Sequence, residues 1–582
     1  MKWLPLFLLL TASALADPPR SHLPPDREAF FAKLHSGFMQ VIQEGSTYFD
    51  EDLGDYPWLA RMVQADFFKW DPSGKGRRMP PLCDAKIWQS KSLATSIDPH
   101  RWAGELETFL KSCHVEWETP WTDIITNAVG MMSFKLHPNR YPYGRHVMFF
   151  LPNGIKVKGL LAMKTDGKKR PLVIFRTGLF SNVQEFYPER SLFFQLFEQS
   201  PFNLLVLESS SGSEFLKHNT SFAIGGFDEG LQNFMIAQGL QDPKEPVSQF
   251  VQSVHLMGSS LGGHGVLFSA LLNQLNPGPQ GQPVIRSALA FCPLLNMQET
   301  LDFHMSQGFS MDLMNYWASH RLKAIKERIP GIRNEDFIYQ FFNWIKTNYK
   351  GPLVAEKGHI EGIRLPKEAE EMLSESKTPE DLYWRLNHYW PWYHKVQTPV
   401  LILSNRKDPI VSWFINSGRI EDQRMKLQDS ELKLFAFEQG YHCSLPISYD
   451  WKALTTVFQT FVLKLSPDFQ LKTKELRVPL SEKVLTQFKQ QNPYLSIDYD
   501  VAVGTAGVFA RIRFDEDFSP SLRDRFLAPR MTAQLPLSEM EFPIESLVSS
   551  EDEASLLRRW AHQNIEARIE GSDLVFSWPQ TP

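Results

Sequence analysis

The sequence predicts an α/β protein with a mostly parallel central sheet, and three observations carry that reading. Between residues 145 and 291 short apolar runs alternate with amphipathic stretches of helical period. The apolar runs are nearly continuous rather than alternating, as expected of parallel strands buried on both faces. After an interruption from about 294 to 397, the alternation resumes with "TPVLILSNRKDP" at 398–409.

The elements follow in order. "HVMFFLPNGIKVKGLLAMK" (146–164) reads as two strands joined at Asn153-Gly154, a hairpin signal. "RPLVIFRTGL" (170–179) is a strand and "FYPERSLFFQLFEQ" (186–199) an amphipathic helix. The strand "FNLLVLESS" (202–210) precedes the helix "FDEGLQNFMIAQGL" (227–240), and "SVHLMGS" (253–259) precedes "GHGVLFSALLNQL" (263–275). "VIRSALAF" (284–291) is a further strand. The interruption is helical and aromatic-rich, with "HYWPWYH" at 388–394. An insertion between two strands lies at one end of the sheet, so it reads as a lid or cap. "ELKLFAFEQGYH" (431–442) and the helix "DWKALTTVFQTFVLKL" (450–465) close the α/β region, taken as 145–466.

Flanking regions differ. Residues 17–144 read as a helical region, with "REAFFAKLHSGFMQVIQ" (27–43) and "TPWTDIITNAVGMMSF" (119–134) as its clearest patterns. Residues 467–582 read as a small α+β appendage. In it, "YLSIDYDVAV" and "VFARIRF" alternate around "GTAG", Ser550 to Glu553 form a capping box, and "IEARIEGSDLVFSW" is a final hairpin.

At 582 residues the chain exceeds one compact core. Its 43% hydrophobic and 22% charged content is that of a globular protein. A net charge of −5 without a basic run excludes the electrostatic footprint of a nucleic-acid binder. The start "MKWLPLFLLLTASALADPP" has a cationic Lys2, an apolar centre and an Ala14-Leu15-Ala16 end, the pattern of a secretory signal over residues 1–16. No later apolar run has spanning length, so the expectation is an exported chain with no transmembrane span. Export permits disulfides. Cys83 and Cys113 share one region and could pair; four free thiols, Cys292 and Cys443 included, fit the spacing equally. The spacing does not suggest a metal site. Asn219-Thr220-Ser221 is a glycosylation sequon, relevant in a eukaryotic source.

The chemistry centres on Gly258-Ser259-Ser260-Leu261-Gly262. A serine hydroxyl is a poor nucleophile unless a base takes its proton. A sharp strand-to-helix turn would expose Ser260 above the sheet and needs small residues on both sides. The strand before, Gly263 and Gly265 after, and the helix that follows supply that context. His442, just past the last strand of the α/β region, suits proton relay. Asp408, after the preceding strand, suits orienting it. Glu208, also following a strand, is the alternative carboxylate, and His264 falls on the helix after Ser260 as a packing or capping residue. The N–H groups of Leu261 and Leu179 would hold an oxyanion, Gly178 allowing close approach; Thr177 stands where such enzymes often carry His.

With Ser260, Asp408 and His442 in that chain order, residues 145–466 resemble the α/β-hydrolase superfamily. The resemblance implies an esterase- or lipase-like serine hydrolase with a helical cap, acting on a small, apolar carboxylic ester through an acyl-enzyme. It implies no cofactor and no metal. An acyltransferase or a peptidase would use the same triad, and a non-catalytic binding protein could keep the scaffold. The aromatics of 388–394 could line an acyl pocket or simply pack.

Overall fold

The computed structural model describes residues 25–42, 144–164, 167–183, 202–220, 224–278, 281–305, 331–352, 362–422, 432–437 and 442–443. To these it adds six strands between 473 and 579 and a few single positions. The expected signal segment, the pattern at 119–134, Cys83 and Cys113, the helices at 186–199 and 450–465 and the capping box at 550–553 lie outside the described residues. Among the described residues, no helix is long and apolar enough to cross a membrane.

The core is a nine-stranded sheet in the order β1-β2-β3-β5-β4-β6-β7-β8-β9. The strands are β1 Met39–Ile42, β2 Gly144–Phe150, β3 Lys156–Ala162, β4 Arg170–Arg176, β5 Asn203–Leu207, β6 Val251–Ser259, β7 Ser287–Phe291, β8 Val400–Asn405 and β9 Leu432–Phe437. Pairings β1–β2, β2–β3 and β3–β5 are antiparallel, and every pairing from β5 through β9 is parallel. The expected Asn153-Gly154 turn joins β2 to β3, with Gly154 at φ 74°, a conformation open to a residue without a Cβ.

Burial explains why the parallel part reads as unbroken apolar sequence. Every residue of β4, β5, β7 and β8 is buried, the pattern of strands covered on both faces. The helix Gly226–Gly239 and the helix Leu261–Leu275 pack against one another, with Phe268 meeting Phe227 edge to face at 5.2 Å. At the outer edge, β9 is only half buried.

One expectation needs correction. The helical reading of 27–43 holds only over its first part, Pro25–Ala32; residues 39–42 instead form β1, hydrogen-bonded to the edge of β2. Gly37 interrupts the helical period, and Met39-Gln40-Val41-Ile42 then satisfies an open strand edge more fully than a solvated helix end would. The region placed before residue 145 thus contributes a strand to the main sheet.

Within 294–397 the described helices are Met297–Met305, Phe337–Asn348, Lys367–Glu375 and Pro379–Leu386, the last capped by Thr378, whose hydroxyl accepts from the Asp381 amide at 3.1 Å. The segment is tied down at several points. Asn416 Oδ1 accepts from the Leu295 and Asn296 amides, and Asn416 Nδ2 donates to Thr300 Oγ1. Tyr349 Oη donates to Asp228 Oδ2 at 2.7 Å, and Tyr383 Oη to the Ile224 carbonyl at 2.8 Å. The 388–394 aromatics pack: Tyr389 and Trp392 are fully buried against Phe268 on the helix after Ser260.

Toward the C-terminus, β10 Thr473–Pro479, β14 Glu566–Glu570 and β15 Asp573–Pro579 form one antiparallel sheet, and β11 Asp498–Gly504, β12 Gly507–Arg513 and β13 Glu539–Pro543 another. The two alternating runs around "GTAG" are the antiparallel pair β11–β12, and the final hairpin expected in "IEARIEGSDLVFSW" is the pair β14–β15.

Candidate active site

The elbow begins in β6. Ser259 is its last residue, Ser260 follows at φ 53° and ψ −116°, and the helix starts at Leu261. A non-glycine residue with positive φ is strained and persists where its surroundings fix it. Those surroundings are bare backbone: a Cβ on Gly258 would stand 2.4 Å from the Gly262 carbonyl oxygen, and one on Gly262 would stand 2.4 Å from the Arg176 and Thr177 carbonyl oxygens. Neither clash is relieved by turning a side chain, which is why Gly flanks Ser260 at both positions. The Ser260 amide donates to the Phe291 carbonyl at 2.9 Å, and the Ser260 carbonyl accepts from His264 N and Leu294 N.

The loop after β4 lies against this turn. A Cβ on Gly178 would meet the Ser260 Cβ at 3.3 Å, so Leu179 follows directly beside the nucleophile position. Thr177 fixes the loop to β5: its amide and hydroxyl both reach the Leu207 carbonyl, at 3.2 and 3.1 Å. Threonine at this position anchors the loop, and the Leu179 N–H does not depend on its side chain. The Leu261 N–H opens a helix, where it has no carbonyl partner within the helix.

Under the loop is a polar network that the sequence reading missed. Phe180, at φ 61°, donates its amide to Ser211 Oγ at 2.7 Å. Ser211 Oγ is 2.8 Å from Ser209 Oγ, and Ser209 Oγ donates to Glu229 Oε1 at 3.0 Å. Ser210 donates to the same oxygen from both its amide (2.8 Å) and its hydroxyl (2.9 Å). Arg176 Nε lies 3.5 Å from Glu229 Oε2, both side chains fully buried, and Arg176 Nη2 donates to Gln232 Oε1 at 2.7 Å. The signal available was "ESSSGS" immediately after a strand: three hydroxyls in a row where a loop leaves the sheet.

At the ends of β8 and β9 the structure joins the other two candidates. His442 Nδ1 donates to Asp408 Oδ2 at 2.8 Å, while Asp408 Oδ1 accepts from the Ile410 and Val411 amides, each at 2.8 Å. This assignment of the ring proton leaves Nε2 as the basic nitrogen. Nε2 lies 3.7 Å from Cys443 Sγ. Among the described residues no hydrogen bond joins His442 to Ser260.

Glu208 does not compete for His442. Its Oε1 accepts from the Lys158 amide at 2.8 Å, and burial, offset in part by that bond and by Lys158 and Arg176, pushes its carboxyl up to about 8. His264 is fully buried between Phe268 and Tyr389, and desolvation lowers its pKa to about 3, the imidazole of a packed core residue. Cys292 and Cys443 form a disulfide, a pairing of neither kind expected from the sequence, with Cα atoms 5.5 Å apart across 151 residues. Their sulfurs and a His442 ring nitrogen lie within 4.8 Å of one another. Disulfide sulfurs lack the thiolate charge of a metal ligand, so in this state the cluster does not fit an ion.

No family model matches the chain, and no curated protein matches it. Solved structures similar to it include an esterase from the archaeon Pyrobaculum calidifontis, at 12% identity and TM-score 0.34, covering 66% of this chain and 98% of that one. Est1E from Butyrivibrio proteoclasticus is similar at 14% identity and TM-score 0.30, with 56% and 98% covered. Dipeptidyl peptidase 4 of Porphyromonas gingivalis is similar at 13% identity and TM-score 0.32, over 55% of this chain and 35% of that one. At these scores the likenesses add no argument. The fold reading stands on the molecule itself: an antiparallel hairpin leading into parallel strands ordered β5-β4-β6-β7-β8-β9, with a strained Gly-x-Ser-x-Gly elbow after β6. That arrangement is the α/β-hydrolase fold.

Proposed function

We propose that this chain is an exported serine hydrolase acting on carboxylic esters. The observation that carries the reading is Ser260 held at positive φ between β6 and a helix, with Gly178 packed against its Cβ. Strain at a surface-facing serine, fixed by backbone contacts on both sides, is what an exposed nucleophile requires.

In this mechanism Ser260 Oγ attacks the acyl carbon and its proton passes to His442 Nε2. The Leu261 and Leu179 N–H groups hold the oxyanion. The imidazolium, kept in register by Asp408, returns the proton to the leaving alcohol. Water then attacks the acyl-enzyme by the same route, releasing the acid and restoring Ser260. Phe341 of the insertion packs on Phe180 of the loop beside the nucleophile, ring centroids 5.4 Å apart, which supports an apolar acyl group and a capping role for 294–397. Export rests on the pattern of residues 1–16.

The test is to treat the purified protein with a fluorophosphonate probe and map the modified peptide by mass spectrometry, with Ser260→Ala and His442→Ala alongside. Labelling at Ser260, abolished in the first variant and slowed at least a hundredfold in the second, is expected. A folded wild type that takes up no probe refutes the hydrolase reading and favours a binding protein on this scaffold.

A further inference from the structure

The disulfide lies where the site is joined together. Cys292 directly follows β7, and Cys443 directly follows His442. The short segment 291–294 touches each part of the proposed site. The Phe291 carbonyl accepts from the Ser260 amide at 2.9 Å, and the Leu294 amide donates to the Ser260 carbonyl at 3.3 Å. The Cys292 amide donates to the Leu403 carbonyl at 2.7 Å, two residues before β8 ends and the loop that carries Asp408 begins. The Cys292 sulfur is bonded to the residue beside the base. Cys443 Sγ is also 3.6 Å from the same Phe291 carbonyl that holds Ser260.

Among the described residues the His442 ring has one hydrogen bond, to Asp408, and a single bond of that kind permits rotation of the imidazole about the carboxylate. Both cysteines hold a left-handed backbone, φ 38° at Cys292 and φ 50° at Cys443. Non-glycine residues keep that conformation only where something fixes them. Here the two are joined covalently, and the Cys292 amide is held by the Leu403 carbonyl as well.

Resting on the serine-hydrolase reading, we propose that the Cys292–Cys443 disulfide is a positioning element that holds His442 at Ser260, so that the enzyme is active oxidised and is silenced by dithiols. A dithiol supplies two electrons and two protons. The S–S bond breaks, Cys292 and Cys443 become thiols, and the reductant leaves as its own disulfide. Once released, the loop at 442–443 lets the imidazole drift by an ångström or more, a displacement that costs on the order of a hundredfold in rate.

The experiment follows fluorophosphonate labelling of Ser260 in five samples: wild type oxidised, wild type with dithiothreitol and EDTA, Cys292→Ser/Cys443→Ser, and His442→Ala with and without reductant. EDTA keeps the freed thiolates and His442 from trapping a soft metal, which would imitate the loss. The double variant isolates this bond from any effect of Cys83 and Cys113. The expected result is a fall of tenfold or more in labelling rate on reduction and in the double variant, with near-ultraviolet circular dichroism unchanged and the rate restored on reoxidation. In His442→Ala the residual rate should be insensitive to reductant, because the link acts through a side chain already gone.

Three results overturn the proposal: a reduced wild type within twofold of the oxidised rate, an equal loss in the His442→Ala background, or loss of tertiary circular dichroism together with activity, which would make the bond a fold staple. An oxidised wild type that never takes up the probe removes the hydrolase reading first, and this inference with it.

Discussion

Gly178 and Ser260 are in near contact: a methyl group in place of the Gly178 hydrogen would stand 3.3 Å from the serine Cβ. The spacing is tighter than most Cβ contacts, and Ser260 cannot yield because its amide and carbonyl are both bonded. Gly178→Ala therefore moves the loop that carries the Leu179 N–H. We expect kcat to fall by about 10²–10³, the usual effect of losing one oxyanion donor. KM for a p-nitrophenyl ester and the melting temperature should change little. Steady-state kinetics beside a thermal melt decide it; an unchanged kcat would remove Leu179 from the oxyanion site.

Asp408 does two tasks with two oxygens, accepting two backbone amides on one and His442 on the other. Asp408→Asn can keep the amide bonds while presenting the wrong group to the imidazole. The expected outcome is a loss of about 10⁴ in kcat with the fold intact. Asp408→Ala also strands the Ile410 and Val411 amides, so it should add about 1–3 kcal/mol of destabilisation. Denaturant melts of the two variants separate the effects.

Ser211 supports the loop from below through the Phe180 amide. Ser211→Ala leaves that buried N–H without its acceptor, and a loss of about 1–3 kcal/mol is expected, with reduced kcat because Phe180 lies two residues past Gly178. Glu229→Ala should be worse, about 3–5 kcal/mol, since it leaves the buried Arg176 guanidinium without its carboxylate. Chemical denaturation of both proteins checks the order; a Glu229→Ala protein as stable as wild type would contradict it.

Glu208 gives the fold a pH dependence of its own. Burial holds its carboxyl protonated up to about 8 in the folded protein, against 4.5 ordinarily. Because the folded pKa is raised, its contribution to stability is complete below about pH 4.5 and is lost as pH rises through about 8. Glu208→Gln keeps an acceptor for the Lys158 amide and removes the titration. The variant should equal wild type at pH 5 and melt a few degrees higher at pH 9, read by calorimetry across that range; parallel curves would show that Glu208 is ionised throughout.

Much of the site was legible because it is local. The elbow announces itself through its glycines, and the strands before Asp408 and His442 are apolar-rich runs, 400–403 and 432–437, that end five residues short of them. Their pairing at 2.8 Å follows from β8 and β9 being parallel neighbours. What sequence could not show is contact between distant segments. Cys292 and Cys443 are 151 residues apart, and nothing in their spacing favours them over Cys83 with Cys113. Glu229 reads as an ordinary first-turn helix acid until the three serines close on it. Tyr389 and Trp392 could as well have lined a pocket; the glycine-rich helix after Ser260 offered them a surface instead.

The strand at 39–42 changes where the chain can be cut. The helix and turn before it lend Phe31 and Leu34 to the main apolar core, and the Arg145 guanidinium lies over the Phe31 ring at 5.1 Å. A truncated gene starting at residue 145 would remove those side chains and bare the β2 edge, whose unpaired amides invite another chain to add on. Such a fragment should precipitate or pair with itself. One starting near residue 24 retains its own edge guard.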